Sequence, residues 1–515
     1  MSLLMSLRGA KGDGAIYCGK AGLPRSLRSL AMTTALSILL SACSLAPDFI
    51  RPEIETPKTF KETDGWLMAT PADALPRGKW WEIFKDETLN GLEEKAGLGN
   101  QDLKIALARY EQARAGVRAA RADFFPTITA GAHDLRERSS PNFSSITTGK
   151  PFNDYTLQGD LSYEIDLWGR IRNQVQAAKD ISKASGADVV AVELSLRAEL
   201  AANYFSLRGD DAAQAALDVT VEAYSKALDL TRDRFKGGVA AQADVDQAEA
   251  QYQGTKTQAL ELHLKRAQLE HAIAVLTGTP PESFSLAATP LTDITPPAIW
   301  PGMPSTLLER RPDIAAAERR ASAANAEIGV ARAAWFPDFS ITGLLGLQSA
   351  SSGNWMSAGS RIWSLGPQAV VTLFDAGRIN ALSDQARAAY DEQAATYRKT
   401  VLNAYAETED SIVALRQLEL EGKSQTAALD AAERSLRQSQ DRYTGGIVTY
   451  LDVVVAQNTA LQARLSWIDI ETRRMTATVQ LIKALGGGWD DAPKTTQPVD
   501  LIGPVQPPLV PKVPN

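Results

Sequence analysis

The chain has 515 residues, of which 44% are hydrophobic, and a formal charge of −7. Residues 1–42 contain five basic side chains and one acidic one, so their removal leaves 49 basic and 60 acidic side chains, a formal charge of −11 that argues against a nucleic-acid partner. No apolar run after residue 42 is long enough for a membrane-spanning helix, whereas membrane strands of alternating polarity stay permitted.

The first predicted element is a signal peptide with an extended N-terminus. Arg25 and Arg28 precede an apolar run, residues 30–42, that is too short to span a bilayer as a helix. The run ends in Leu-Ser-Ala-Cys, which resembles the bacterial lipobox and predicts cleavage before Cys43 with acylation of its thiol. The alternative is a free cysteine beside an ordinary signal peptide. In the lipoproteins that this motif resembles, an aspartate after the cysteine favours inner-membrane retention, so Ser44 indicates the outer membrane.

A strand with two different faces is predicted in the stretch YTLQGDLSYEIDLWGR, residues 155–170. From Tyr155 to Leu167 every odd position is apolar or glycine, and the even positions from Thr156 to Asp166 are polar. In a soluble sandwich the polar face would meet water. In a membrane barrel the apolar face meets lipid and the polar face lines a wet lumen.

Internal repeats indicate a tandem duplication of about 200 residues. ADFFPTIT (122–129) returns as AAWFPDFS (333–340), WGRI (168–171) as AGRI (376–379), and RFKGGV (234–239) as RYTGGI (442–447). Each half begins with a helical run that ends at a Phe-Pro pair, and two segments of strand character follow. The chain therefore supplies two strand pairs.

Two very long helices follow the strand pairs. Residues 170–236 and 378–444 contain no proline and would form helices of about 100 Å at 1.5 Å per residue. The Gly-Gly pairs at 237–238 and 445–446 end these helices, and second helical runs return to about residues 277 and 485.

The helices are rich in alanine, with sparse large residues at coiled-coil-like spacing: Leu194, Leu196, Leu200, Tyr204, Phe205 and Leu207. The alternative is a soluble coiled-coil rod, which with a lipid anchor would be a structural lipoprotein and not a channel. This alternative leaves the predicted strands unexplained. Four strands are too few to close a membrane barrel, for which about eight is the usual minimum, so several chains must contribute.

A family resemblance rests on WWEIFKDETL (80–89), IDLWGRIR (165–172), LLERRPDIAAAE (307–318), LFDAGRI (373–379), YLDVVVAQ (450–457) and the Phe-Pro pairs. These stretches resemble the TolC-like outer membrane efflux family, in its lipoprotein branch, over about residues 47–490. The resemblance implies an α+β membrane channel: a homotrimer with a twelve-stranded β-barrel, four strands per chain, above a long periplasmic α-helical barrel. The odd residues of the 155–167 strand would then face lipid and the even residues would line the duct.

The implied function is a passive exit duct for drugs or other small molecules. It would dock through a periplasmic adaptor protein to an inner-membrane pump driven by the proton gradient or ATP, with no cofactor or metal. Metal-ion efflux and type I protein secretion are the alternatives within the family. A lipid-anchored enzyme is a further alternative, but the sequence has no Gly-rich phosphate loop and no Gly-x-Ser-x-Gly motif.

The resemblance also implies a gate at the periplasmic end, just after the Gly-Gly turns. The residues carried over are Asp244, Tyr443, Leu451 and Asp452. Thr449 and Asp452 also have the spacing of a capping box, so Asp452 is equally well explained as a helix cap. Its repeat-mate Asp244 follows an alanine at the cap position and is the cleaner gate candidate.

Six regions follow from these observations. They are the signal peptide (1–42), a lipidated N-terminal segment (43–85), the first repeat (86–278), a Pro-rich linker (279–306), the second repeat (307–488) and a Pro-rich tail (489–515).

Overall fold

A computed structural model of the protein describes residues 44–57, 59–61, 78–138, 140, 142, 150–289, 296–297 and 310–487. The predicted signal peptide, Cys43 and the Pro-rich tail lie outside the described residues, as does part of the Pro-rich linker.

The described residues form seven α-helices and four strands, numbered in chain order. They are α1 (Glu87–Gly99), α2 (Gln101–Ala122), β1 (Thr127–Glu137), β2 (Phe152–Glu164), α3 (Arg170–Lys236), α4 (Gln242–Leu276), α5 (Pro312–Ala333), β3 (Asp338–Ser349), β4 (Arg361–Val370), α6 (Arg378–Thr444) and α7 (Tyr450–Ala484). Within the described ranges, no helix is both long enough and apolar enough to cross a bilayer.

The two long helices are confirmed with their predicted bounds, since α3 and α6 have 67 residues each. Both end where glycine adopts a left-handed backbone, with φ of +74° at Gly238 and +72° at Gly446. The backbone N–H of Val239 then donates to the Arg234 carbonyl at 2.9 Å, and Ile447 repeats this bond to Arg442. This closure satisfies carbonyls that the helix end leaves open.

The start of each long helix is capped by an aspartate a few residues upstream. The Asp166 carboxylate accepts from the backbone N–H of Arg172 at 2.9 Å, and Asp375 accepts from that of Ile379 at 2.8 Å. A negative charge there stabilises the free N–H groups of the helix N-terminus. The repeated Asp and Gly-Arg residues therefore mark the change from strand to helix.

The four strands form one antiparallel sheet in the order β1-β2-β3-β4. The two strand pairs of the duplication join through β2 and β3, in which Leu157 lies opposite Leu347.

The four shorter helices α2, α4, α5 and α7 pack at two levels, or tiers, along the long helices α3 and α6. In the tier next to the sheet the order is α2-α3-α5-α6, and in the far tier it is α4-α3-α7-α6. The tiers stack end to end: the Asn100 side chain, before α2, donates to the Leu276 carbonyl at the end of α4, at 2.9 Å. Arg311, before α5, donates in the same way to Ala484 at the end of α7, at 3.0 Å. Each long helix is thus accompanied along its length by two stacked shorter ones.

The main hydrophobic core lies where the tiers meet. Of the six large residues predicted in the α3 seam, five are buried there: Leu196, Leu200, Tyr204, Phe205 and Leu207. The short 3₁₀ helix Trp80–Phe84 covers them, and the rings of Phe84 and Phe205 lie 4.8 Å apart. Close packing at this level joins the tiers into one body.

Candidate functional site

One face of the sheet is predominantly apolar. Residues opposite each other in an antiparallel register share a face. Leu157 lies opposite Ala132 and Leu347, so the apolar alternation of β2 continues on its neighbours. This apolar face comprises Ile128, Ala130, Ala132, Tyr155, Leu157, Leu161, Tyr163, Ile341, Leu345, Leu347, Trp363 and Leu365. Its charged members, Asp134, Arg136 and Arg361, lie toward the strand ends that are farthest from the helices.

The opposite face is polar and hydrogen-bonded across strands. Asp154 accepts from the Thr156 hydroxyl at 2.8 Å and from the Gln348 side chain, on β3, at 2.9 Å. Gln158 donates to Asp160 at 3.1 Å, and His133 Nε2 lies 3.9 Å from an Asp154 oxygen. Such a face requires water or other polar groups in front of it.

The sheet cannot be complete within one chain. The edge strands β1 and β4 have no outer strand partner among the described residues, and every residue of β1 is exposed. Large apolar side chains are also open, with Ile128 73%, Leu345 70% and Trp363 76% exposed. Unpaired edges and uncovered apolar side chains of this size require further chains and an apolar surrounding.

An aromatic cluster lies at the end of the molecule farthest from the sheet. Tyr450 is buried in an apolar cluster with Leu228, Val245 and Val454, and burial raises its pKa to about 12. The predicted gate residue Tyr443 packs on Tyr450 with ring centroids 5.7 Å apart.

Arg234 joins the first repeat to this cluster. Its guanidinium lies over the Tyr443 ring, 4.9 Å from the centroid, and donates to the Tyr443 hydroxyl. Nearby, Gln251 and Asn458 exchange amide hydrogen bonds between α4 and α7. These three partners were not singled out by the sequence, although Arg234 occurs in a repeated motif. The two helical hairpins are therefore fastened together near their tips.

The two predicted gate aspartates both cap helices. Asp244 accepts from the backbone N–H of Ala241 at 3.1 Å, and Asp452 accepts from the N–H and hydroxyl of Thr449 at 3.0 and 2.7 Å. These bonds to Thr449 lower the pKa of Asp452 below its ordinary value. Asp244 thus also caps its helix, but through a backbone bond alone, whereas Asp452 has in addition the bond from the Thr449 hydroxyl. Leu451 is 56% exposed beside them, and the gate itself stays a prediction.

The N-terminal segment follows the helices from the sheet end downward. The Ser44 hydroxyl donates to Asn173, in the first turn of α3, at 2.9 Å, and the Pro47 carbonyl accepts from Asn325 at 2.7 Å. Farther along, the Lys61 N–H donates to Glu409 at 2.7 Å. Cys43 itself lies outside the described residues, but its neighbour Ser44 is held directly below the strands.

A single sheet with one apolar and one polar face, continued by long paired helices, defines a subunit of a membrane channel. The family model described as Outer membrane efflux protein matches residues 92–279 and 303–487, so the chain belongs to the outer membrane efflux protein family.

Relatives and a solved structure extend this match to nearly the whole chain. The antibiotic efflux pump outer membrane protein ArpC and the toluene efflux pump outer membrane protein TtgC, both of Pseudomonas putida, are each 32% identical over 472 residues, 90% of this chain and 96% of the relative. The outer-membrane channel OprN superposes with a TM-score of 0.77 at 31% identity, covering 87% of this chain and 100% of that one.

The predicted fold class, a trimeric channel with a β-barrel and a helical barrel, is confirmed by this similarity. The predicted main function, an outer membrane efflux duct, is likewise confirmed.

Proposed function

We propose that the protein is the passive exit duct for antibiotics, solvents or other small organic molecules. It docks through a periplasmic adaptor to a proton-driven inner-membrane pump and has no catalytic activity of its own. The substrate class is supported by the names of ArpC and TtgC, which belong to antibiotic and toluene efflux pumps. The observation that carries the channel role is the sheet with opposite faces and two open edges.

Three copies of the chain close the barrel in this proposal. β1 of one copy pairs with β4 of the next, which removes every open edge. The apolar face meets lipid and the polar face with Asp154, Thr156 and Gln158 lines the duct. Light scattering in detergent should give three chains per particle, and single-channel conductance should accompany that species. A monodisperse monomer with full conductance would contradict this assembly.

Export is tested in cells that lack their own outer membrane channels. Expression of this chain with its adaptor and pump should lower the accumulation of a fluorescent organic dye. The control is the same chain with Leu157→Arg on the lipid face, which destabilises the barrel and should leave more dye in the cells than the unchanged chain does. Unchanged accumulation with a correctly assembled trimer would contradict the assigned substrate class and leave the channel itself intact.

Cys43 carries the lipid anchor in this proposal. Ser44 and Pro47 are bound to the first turns of α3 and to α5, directly below the strands, so acyl chains on the preceding residue would reach the bilayer surface. A single acyl chain binds a membrane only marginally, whereas an inserted barrel does not leave it, so the anchor serves sorting more than retention. Mass spectrometry of the mature N-terminus should show an acylated Cys43. Cys43→Ser should leave part of the protein in the wrong membrane.

In this proposal the periplasmic closure consists of Leu451, Tyr443 and the two cap aspartates, Asp244 and Asp452. Leu451→Ser combined with Asp244→Asn should raise conductance in a planar bilayer if these side chains close the pore. Asparagine is chosen because it keeps an acceptor for the Ala241 N–H while it removes the charge. The pair separates a gate from a cap, since a purely capping role would leave the pore shut. Unchanged conductance in an assembled trimer would place the closure elsewhere.

A further inference from the structure

A groove with basic and aromatic walls lies between α2 and α3, directly below the strands. It has a volume of about 570 Å³, and its walls include Arg121, Phe124, Phe125, Arg172 and Lys179. Arg121 belongs to the last turn of α2, and the others come from the turn before β1 and from the first turns of α3. The groove is therefore at the level where the sheet gives way to the helices.

The groove opens on the side that continues the apolar face of the sheet. Arg170 pairs with Glu164 of the polar face and also donates to the Gln174 side chain at 3.4 Å, so this side of α3 continues the polar face. At 100° per residue, Arg172 and Lys179 project from the opposite side of the helix. The partner of Arg172, Asp166, follows the end of β2 at Glu164 and does not belong to the polar face of the sheet. In the membrane-embedded channel, on which this inference rests, the groove faces outward at the bilayer surface.

The charges of the groove are mainly positive. Arg172 is paired with Asp166, at 3.1 Å between Nε and a carboxylate oxygen. Arg121 and Lys179 form no ion pair with the described part of the chain, so two positive charges stay uncompensated. Phe125 is 71% exposed beside them, an arrangement of aromatic ring and cations that is typical of a membrane interface.

We propose that this groove binds the phosphate of an anionic glycerophospholipid. Arg121 and Lys179 bind the headgroup phosphate, and Arg172 forms part of the groove wall. Phe125 contacts the acyl chains near the headgroup. Cations beside exposed aromatic rings favour a lipid over a free anion, because only a lipid covers both kinds of surface.

Native mass spectrometry of the full-length protein in detergent tests the proposal, with dioleoyl phosphatidylglycerol as probe and dioleoyl phosphatidylcholine as the neutral comparison. Arg121→Gln combined with Lys179→Gln should weaken phosphatidylglycerol binding about thirtyfold, from two charges at a membrane surface. The matched control is Lys104→Gln combined with Lys226→Gln, which removes two charges from the same two helices far from the groove. The control should bind like the wild type.

The outcomes distinguish three possible occupants of the groove: a lipid, a free phosphate and a second copy of the chain. Equal phosphatidylglycerol binding by both double variants, or displacement of the lipid by inorganic phosphate alone, would overturn the lipid assignment. A Lys179→Cys thiol that is protected from a water-soluble maleimide in the assembled channel with the lipid removed would show that a second copy covers the groove, which also overturns it. Conductance of each variant is recorded in parallel, so a protein that binds lipid without conducting would contradict the channel role alone.

Discussion

Replacement of the buried Glu93 should change how stability depends on pH. Glu93 lies on α1 with no exposed surface, and neither carboxylate oxygen has a hydrogen-bond partner in the described structure. Arg197 lies 3.5 Å away, but its guanidinium also donates to Glu193 at 2.7 Å and lies over the Trp81 ring. Burial outweighs the attraction of Arg197 and raises the pKa of Glu93 to about 8, from 4.5.

The raised pKa determines the direction of the effect. Between the two values the folded chain holds a proton that the unfolded chain has released, so the free energy of unfolding falls by about 1.4 kcal/mol per pH unit. This contribution is fully present below the unfolded pKa and is lost as the pH rises through that of the folded state. Glu93→Gln removes this dependence on pH. The free energy of unfolding of the variant should therefore rise by about 3 kcal/mol relative to that of the wild type between about pH 5 and pH 7.

Guanidinium unfolding of the protein in detergent, followed by tryptophan fluorescence, measures this difference at several pH values. The wild-type midpoint should fall relative to that of Glu93→Gln as the pH rises from about 5 to about 8. The control is Glu94→Gln, because Glu94 is exposed and its hydrogen bond to Lys79 lowers its pKa, out of this range. Parallel pH profiles for wild type and Glu93→Gln would refute the reasoning.

Two further predictions use paired positions. Leu157→Arg places a charge on the apolar face at the middle of β2 and should destabilise the barrel by about 2 to 4 kcal/mol, which the heat-resistance of the trimer on gels measures. Gln158→Arg, on the polar face, should assemble normally and change the conductance recorded in a planar bilayer. Gly209→Ala should destabilise by about 1 to 3 kcal/mol, because its Cβ would lie 2.1 Å from the Thr472 hydroxyl oxygen. Gly116→Ala has open space around the new methyl group and should stabilise α2 by about 0.5 to 1 kcal/mol, as thermal unfolding would show; equal effects at the two glycines would contradict the close approach of α3 and α7.

The sequence alone determined the elements whose causes are local. Alternation of polarity defined the strand from Tyr155, and the absence of proline followed by a Gly-Gly pair defined α3 and α6 with their ends. These features depend on side-chain period and backbone freedom within a few residues, which one chain displays directly. The duplication and the need for several chains followed from the same pattern.

Only the tertiary structure decided the contacts between distant parts of the chain. The stacking of the tiers through Asn100 and Leu276, and the bond from Arg234 to Tyr443, join residues that are 176 and 209 positions apart. The capping bond of Asp244 was also not predicted from the sequence. The donor is the backbone N–H of Ala241, which the identity of the Ala241 side chain does not reveal. Such contacts depend on how helices are placed beside one another in space, and hydrophobic period specifies the face that a helix buries without naming the residue that it meets.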